Sequence, residues 1–188
     1  MSTCGPTMAL TVGLIPYCCA PFLQAILHRL CFRGTLGMEP VILLVEDSHF
    51  DVELLQHAFR KAGLGRPMQV VRDGVDAMSY LLGVGEYAER QKFPAPNILI
   101  IDLNMPRFNG LELLTWLRTQ PDLQHLLVVV LTGTGRQQDI DIAYRMGAKS
   151  YLVKPTQAGE FQSLINSFYE YWIAHNHFPL PEASVELR

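Results

Sequence analysis

Five short apolar runs, each closed by a polar residue, punctuate the chain after residue 40. Val41 to Val45 ends at Glu46-Asp47, and Met68 to Val71 ends at Arg72-Asp73-Gly74. Ile98 to Ile101 ends at Asp102, Leu126 to Leu131 at Thr132, and Ser150 to Val153 at Lys154-Pro155. Short uncharged runs rich in β-branched residues, without polar alternation, read as strands buried on both faces of a parallel sheet. Between the runs, apolar residues recur at helical spacing: Val52, Leu55, Ala58, Phe59 and Ala62 first, then Val75, Met78, Leu81 and Leu82. Leu111, Leu114 and Leu117 follow with Trp116 beside them, then Ile140, Ala143, Tyr144 and Met146. Phe161, Leu164, Ile165, Phe168 and Trp172 mark a last helix, with Tyr169 and Ile173 off its main stripe. Ser48 is placed to cap the first helix, and Gly63 and Gly147 to stop the first and fourth.

Strands alternating with helices predict an α/β fold, a five-stranded parallel sheet with helices on both faces. Right-handed crossovers leave the flavodoxin-like (βα)5 arrangement, strand order 2-1-3-4-5, as the simplest topology. The connection from Gly83 to Pro96 is longer than the others and carries Tyr87 and two prolines. No G-x-G-x-x-G or Walker A loop is present, so a nucleotide-binding reading has no support.

Composition divides the chain at residue 37. Every one of the 18 carboxylates lies after Gly37, whereas residues 1 to 37 carry only Arg29 and Arg33 and hold all 4 cysteines. From Met38 onward thirteen cations face eighteen carboxylates, a balance of −5, and no basic cluster suggests nucleic acid. Met8 to Leu27 is uncharged, but Pro16 and Pro21 interrupt it and the charges follow the apolar run, the wrong order for a secretory signal. Three readings stand for residues 1–37: a membrane-associating arm, a disordered apolar tail, or an upstream extension absent from the working protein. Met38, directly before the first strand, favours the third. Residues 38–175 are then the main domain and 176–188 a C-terminal tail, in a cytoplasmic protein.

The strand ends carry the chemistry. In a parallel sheet Glu46, Asp47, Asp102, Thr132 and Lys154 share one edge, the rim where open α/β sheets bind ligands. Clustered carboxylates repel unless a cation sits among them, and a hard divalent ion such as Mg2+ meets that need. Asp47 and Asp102 offer oxygens directly, Glu46 through water, and the backbone carbonyl of Asn104 completes the set. An ionised Asp102 needs no general base to attack phosphorus, so it is a ready nucleophile for an acyl phosphate. Lys154, Thr132 and the cation would then each neutralise a phosphoryl oxygen. Singly, each residue has a plainer reading: a strand-end turn for Glu46-Asp47, a surface lysine for Lys154, a simple turn for Pro155. Four strand ends bearing matching groups are what outweigh those readings.

These residues resemble the receiver domains of two-component response regulators. The resemblance runs from Val41 to about Ile173 and rests on ILLVED, IDLNMPRFNG, LTGT and YLVKP, with 30 residues from Asp102 to Thr132 and 22 from Thr132 to Lys154. It implies that Asp102 is the phospho-acceptor, Glu46 and Asp47 the acidic pair, Thr132 the switch hydroxyl and Lys154 the phosphate-binding lysine, followed by the Lys-Pro turn at Pro155. Tyr151 matches the family's aromatic switch. The first acid is Glu where the family usually has Asp. VRDGVDAMSYL, the long GVGEYAERQKFPAP connection, QPDLQHLLVVVLT and FYEYW are similar to the small stand-alone regulators paired with phytochrome-type histidine kinases. The resemblance implies a sensor histidine kinase or phosphotransfer protein as partner.

Only 33 residues follow Pro155, which leaves no room for an output domain, so the signal is expected to leave through a surface. The face of the fourth helix, fifth strand and fifth helix is the candidate, with homodimerisation as its use. Two rivals remain. A haloacid-dehalogenase-type phosphatase requires an acid two residues after the nucleophile, where this chain has Asn104. A receiver-like binding module that is never phosphorylated would have no need of the complete set of strand-end groups.

Overall fold

The computed structural model describes residues 39–178; the expectations for residues 1–37 and for the tail beyond Phe178 fall outside the described residues. The elements in chain order are β1 (Ile42–Val45), α1 (His49–Ala62), β2 (Gln69–Val71), α2 (Gly74–Leu82), β3 (Ile98–Ile101), α3 (Gly110–Arg118), β4 (Leu127–Thr132), α4 (Gln137–Arg145), β5 (Ser150–Val153) and α5 (Ala158–Tyr169). A 3-10 turn at Gly85–Ala88 lies in the long connection before β3, and a π-helical turn at Glu170–Ala174 extends α5. All strand pairs are parallel and the order is β2-β1-β3-β4-β5, the expected flavodoxin-like arrangement.

The alternating side chains of the sheet feed two cores. Leu43, Val45, Leu99, Ile101, Val128 and Val130 face one layer, packed with Ala77, Tyr80, Leu113, Leu114 and Leu117. Ile42, Leu44, Ile98, Ile100, Val129 and Leu131 face the other, closed by Leu55, Phe59, Phe161, Ile165 and Phe168. The Phe59 and Phe168 rings meet edge to face at 5.4 Å, which joins α1 to α5. Each fully buried aliphatic side chain in these layers contributes about 1.5–3 kcal/mol through burial. Central strands buried on both faces are therefore fixed in register, and their last residues are fixed with them.

At the amino edge of the sheet one residue ties three strands. The Asn97 side chain accepts from the Val41 N–H at 2.9 Å, its own N–H donates to the Val41 carbonyl at 2.9 Å, and its carbonyl accepts from the Leu127 N–H at 3.1 Å. The long connection is anchored by Arg90, whose guanidinium donates to the Tyr80, Leu81 and Phe93 carbonyls, while Tyr87 packs on Tyr80 and Phe93.

Three helix faces differ from the sequence pattern. In α4 Ala143 is buried while Tyr144, expected on the same stripe, is 50% exposed. In α2 the buried residues are Gly74, Ala77, Tyr80 and Leu81, while Val75 and Leu82 are 51% and 54% exposed. Asp73 caps this helix, its side chain accepting from the Asp76 N–H, so the turn expected at Arg72-Asp73-Gly74 is the helix start and the inward face rotates onto Tyr80. At the other end Ile173, expected off the core stripe, is buried. The π-helical turn inserts one residue, so Ile173 lies five residues beyond Phe168 yet shares its face.

Candidate functional site

The carboxyl edge of the sheet carries one residue at the end of each of β1, β3, β4 and β5. Glu46 continues β1 through its N–H to the Val71 carbonyl at 3.1 Å, and Asp102 continues β3 through its N–H to the Val45 carbonyl at 3.0 Å. Lys154 continues β5 with its N–H on the Thr132 carbonyl at 2.8 Å. Backbone pairing thus presents these side chains to one pocket, and three of the groups are buried: Glu46, Asp102 and Thr132.

Lys154 is its centre. Its Nζ lies 2.6 Å from Glu46 Oε2, 2.6 Å from Asp51 Oδ2 and 3.2 Å from Asp102 Oδ2. The Lys154–Pro155 bond is trans, there being no cis peptide bond among the described residues, and the lysine still aims inward. Burial works against the ammonium, but its hydrogen bonds to Asp51 and Glu46 and the charge of Asp102 outweigh that and hold it protonated well above the usual lysine range. Burial pushes the Glu46 carboxyl up, with the Lys154 ion pair opposing the rise. The second oxygen of Glu46 accepts from the Ser48 N–H at 3.1 Å.

The loop after β3 presents Asp102. The Asn104 N–H donates to Asp102 Oδ1 at 3.2 Å, and the Asn104 amide donates to Thr132 Oγ1 at 3.1 Å, so one residue contacts both the acid and the hydroxyl. Arg107 takes the left-handed backbone with φ 65° and reaches Asp73 at 3.4 Å. The chain then returns so closely that a Cβ at Gly110 would stand 2.4 Å from the Asp102 carbonyl oxygen and 2.8 Å from Leu103 Cα. Only glycine fits there. Asn109 and Glu112 form a reciprocal capping box that starts α3 at that point. Across the pocket, the half-buried Tyr151 donates its hydroxyl to the Thr134 carbonyl at 2.9 Å; burial pushes its phenol up, which keeps it a donor.

Glu46, Asp102, Thr132 and Lys154 are brought together, with Tyr151 and Asn104 at the border. Asp47 is not among the converging carboxylates: it is exposed, and its backbone carbonyl accepts from Arg72 at 3.3 Å. The third acid is Asp51, which the sequence pattern marks only as a first-turn acid of α1. Its signal was positional. Ser48 caps α1 through the Asp51 N–H, and side chains in a first turn lean back toward the helix start, here toward the ends of β1 and β3.

Carboxylate oxygens of Glu46, Asp51 and Asp102 lie within 4.8 Å of one another, an all-oxygen donor set suited to a hard cation. Three carboxylates against one ammonium leave two negative charges in excess, the charge a divalent ion carries. The residues fit such an ion. Among the described residues no helix is long and apolar enough to cross a membrane.

Comparison with known proteins agrees with this fold. The response regulator Rcp1 of Synechocystis sp. is 33% identical over 133 residues, 71% of this chain and 88% of Rcp1. The solved Mn2+-bound form of Rcp1 is 32% identical with a TM-score of 0.68, the match covering 75% of this chain and 99% of that one. The phosphorylated cyanobacterial phytochrome response regulator RcpA is 31% identical with a TM-score of 0.68, covering 76% and 100%. The family model described as the response regulator receiver domain matches residues 42–166. With the strand order and the Glu46, Asp102, Thr132 and Lys154 pocket at its carboxyl edge, the chain belongs to the response regulator receiver domain family.

Proposed function

We propose that this chain is a single-domain response regulator that accepts a phosphoryl group on Asp102 from the phosphohistidine of a sensor histidine kinase or phosphotransfer protein. The observation that supports it best is the Lys154 ammonium beside Asp102 in a buried acidic pocket. Asp102 attacks phosphorus with a carboxylate oxygen; the new P–O bond forms as the P–N bond breaks, and the departing imidazole nitrogen keeps the electron pair and is protonated. An ionised carboxylate is already a nucleophile, so the remaining work is positioning and charge neutralisation. The Asn104 N–H orients Asp102, and Lys154 stands ready to take a phosphoryl oxygen. Thr132 leaves its bond with Asn104 to donate to another oxygen, and Tyr151 follows it inward from Thr134. Such a switch is a two-state element biased by a new charge.

The cofactor is Mg2+; the converging oxygens of Glu46 and Asp102 would hold it, with the neighbouring rim acid Asp47 and the backbone carbonyl of Asn104 as further donors, while Asp51, the third acid of the cluster, stays on Lys154. When bound it supplies charge neutralisation for a phosphoryl oxygen. The chain accelerates its own phosphorylation and dephosphorylation and is not a turnover enzyme. The similarity to Rcp1 and RcpA favours a phytochrome-type kinase in the cytoplasm as the donor. The output surface is the face of α4, β5 and α5, where Tyr144, Val153 and Tyr171 are exposed, and its use is homodimerisation. Sedimentation of the phosphorylated chain as a monomer at high concentration would remove that use.

Acetyl phosphate with Mg2+ tests the central assignment by intact-mass spectrometry. The wild type gains one phosphoryl group and Asp102→Asn gains none; a label persisting on that variant, or none on the wild type, refutes it.

A further inference from the structure

Asp51 lies on α1, outside the strand ends that supply the other acids, and makes one of the two shortest contacts of Lys154, at 2.6 Å. It is held from behind: its backbone N–H donates to Ser48 Oγ at 3.3 Å, which ties its position to the helix cap. Glu46 is fixed as well, one oxygen on the Ser48 N–H and the other on the lysine. The contact to Asp102 is the longest of the three, at 3.2 Å. The ammonium is therefore located by Glu46 and Asp51 rather than by the residue beside which it has to act. From these contacts we propose that Asp51 is a positioning residue, which with Glu46 seats the Lys154 ammonium next to Asp102 before any phosphoryl group arrives. The proposal rests on the phosphoryl-transfer reading of this pocket. A long lysine side chain has many rotamers, and two charged hydrogen bonds restrict them in advance, so the transition state need not order the lysine itself. Asp51 acts on phosphorus only through Lys154.

The test uses the full chain, metal-free and unphosphorylated, treated with a trace of an amine-acylating ester. Modification at Lys154 is read by peptide mass spectrometry against Lys149 as an internal reference. Loss of one charge-assisted hydrogen bond in Asp51→Asn should raise Lys154 acylation about tenfold. Asp51→Glu, which restores the carboxylate, should return it to within about twofold of the wild type on the same reasoning. In parallel, the rate of Asp102 labelling by acetyl phosphate at saturating Mg2+ should fall about tenfold in Asp51→Asn and recover in Asp51→Glu. Near-ultraviolet circular dichroism checks that both variants keep the native packing. Unchanged Lys154 acylation in Asp51→Asn overturns the proposal. So does a loss of Mg2+ binding by calorimetry with Lys154 acylation unchanged, which would make Asp51 a metal ligand. The acylation readout involves no phosphoryl group, so its failure leaves the assignment of Asp102 standing. An unlabelled wild type would sink that assignment and leave the lysine seat intact.

Discussion

Lys154→Met removes the only ammonium contacting Glu46, Asp51 and Asp102 among the described residues. Methionine keeps most of the volume and none of the charge, so the variant isolates the electrostatic role. Leaving a buried charge without its partner costs about 3–5 kcal/mol. Asp51 is 28% exposed and water reaches part of the cluster, so the lower end applies, about 3 kcal/mol at neutral pH without metal. In a domain of this size that corresponds to a fall of roughly 10 °C in melting temperature. The pH dependence has a defined sign. Burial already raises the Glu46 carboxyl above its ordinary 4.5, and loss of the ammonium removes what opposes that rise. A carboxyl raised on folding binds protons more tightly in the folded state, so folding is favoured as pH falls between the ordinary and the raised value. The deficit of the variant relative to the wild type is therefore full at neutral pH and shrinks on acidification through the carboxylate range. Magnesium should narrow it too, since without the opposing ammonium the variant binds the ion more tightly and its folded state gains more from it than the wild type does. Urea unfolding at several pH values, with chelator and with Mg2+, measures each of these. A neutral-pH deficit below about 1 kcal/mol, or one that widens in acid, refutes the electrostatic account.

Gly110→Ala places a methyl group 2.4 Å from the Asp102 carbonyl oxygen, so the loop after β3 has to move; a loss of about 1–3 kcal/mol and slower Asp102 labelling are expected from thermal melts and phosphorylation kinetics. Ile173→Ala should cost about 2–4 kcal/mol in urea unfolding, whereas the exposed Tyr171→Ala should stay within about 0.5 kcal/mol. Equal effects from those two would show that the π-helical turn does not set the face. Removing residues 1–37 should leave the labelling of Asp102 by acetyl phosphate unchanged, because the groups that meet at the pocket, from Glu46 to Lys154, all lie after residue 37; a lost label would refute this.

Most of the fold was legible because burial on both faces leaves a plain signature. Val45, Ile101 and Thr132 end strands that no charge interrupts, so Glu46 and Asp102 could be placed at one edge from sequence alone. What escaped depended on rotation rather than on spacing. The inward face of α2 is set by the Asp73 cap and by the ring of Tyr80, which the bare alternation of Val75 and Met78 does not encode. Ile173 turns inward through one extra residue in a helical turn, invisible to a fixed period. Asp51 was missed for a related reason. Strand ends announce themselves by neighbours in the chain, while an acid on the first turn of a helix joins the pocket only when the helix leans over the sheet edge.

Asn97 divides tolerance to change along the molecule. Because its side chain and backbone hold β1, β3 and β4 in step at the far rim, alignment of the sheet does not depend on the loops that carry the acids, the hydroxyl and the lysine. Those loops can therefore diverge in length and chemistry to suit new signalling partners while the scaffold beneath stays in register. A saturation scan should find side chains that cannot accept from the Val41 N–H poorly tolerated at 97, with aspartate, which keeps that acceptor, the best replacement.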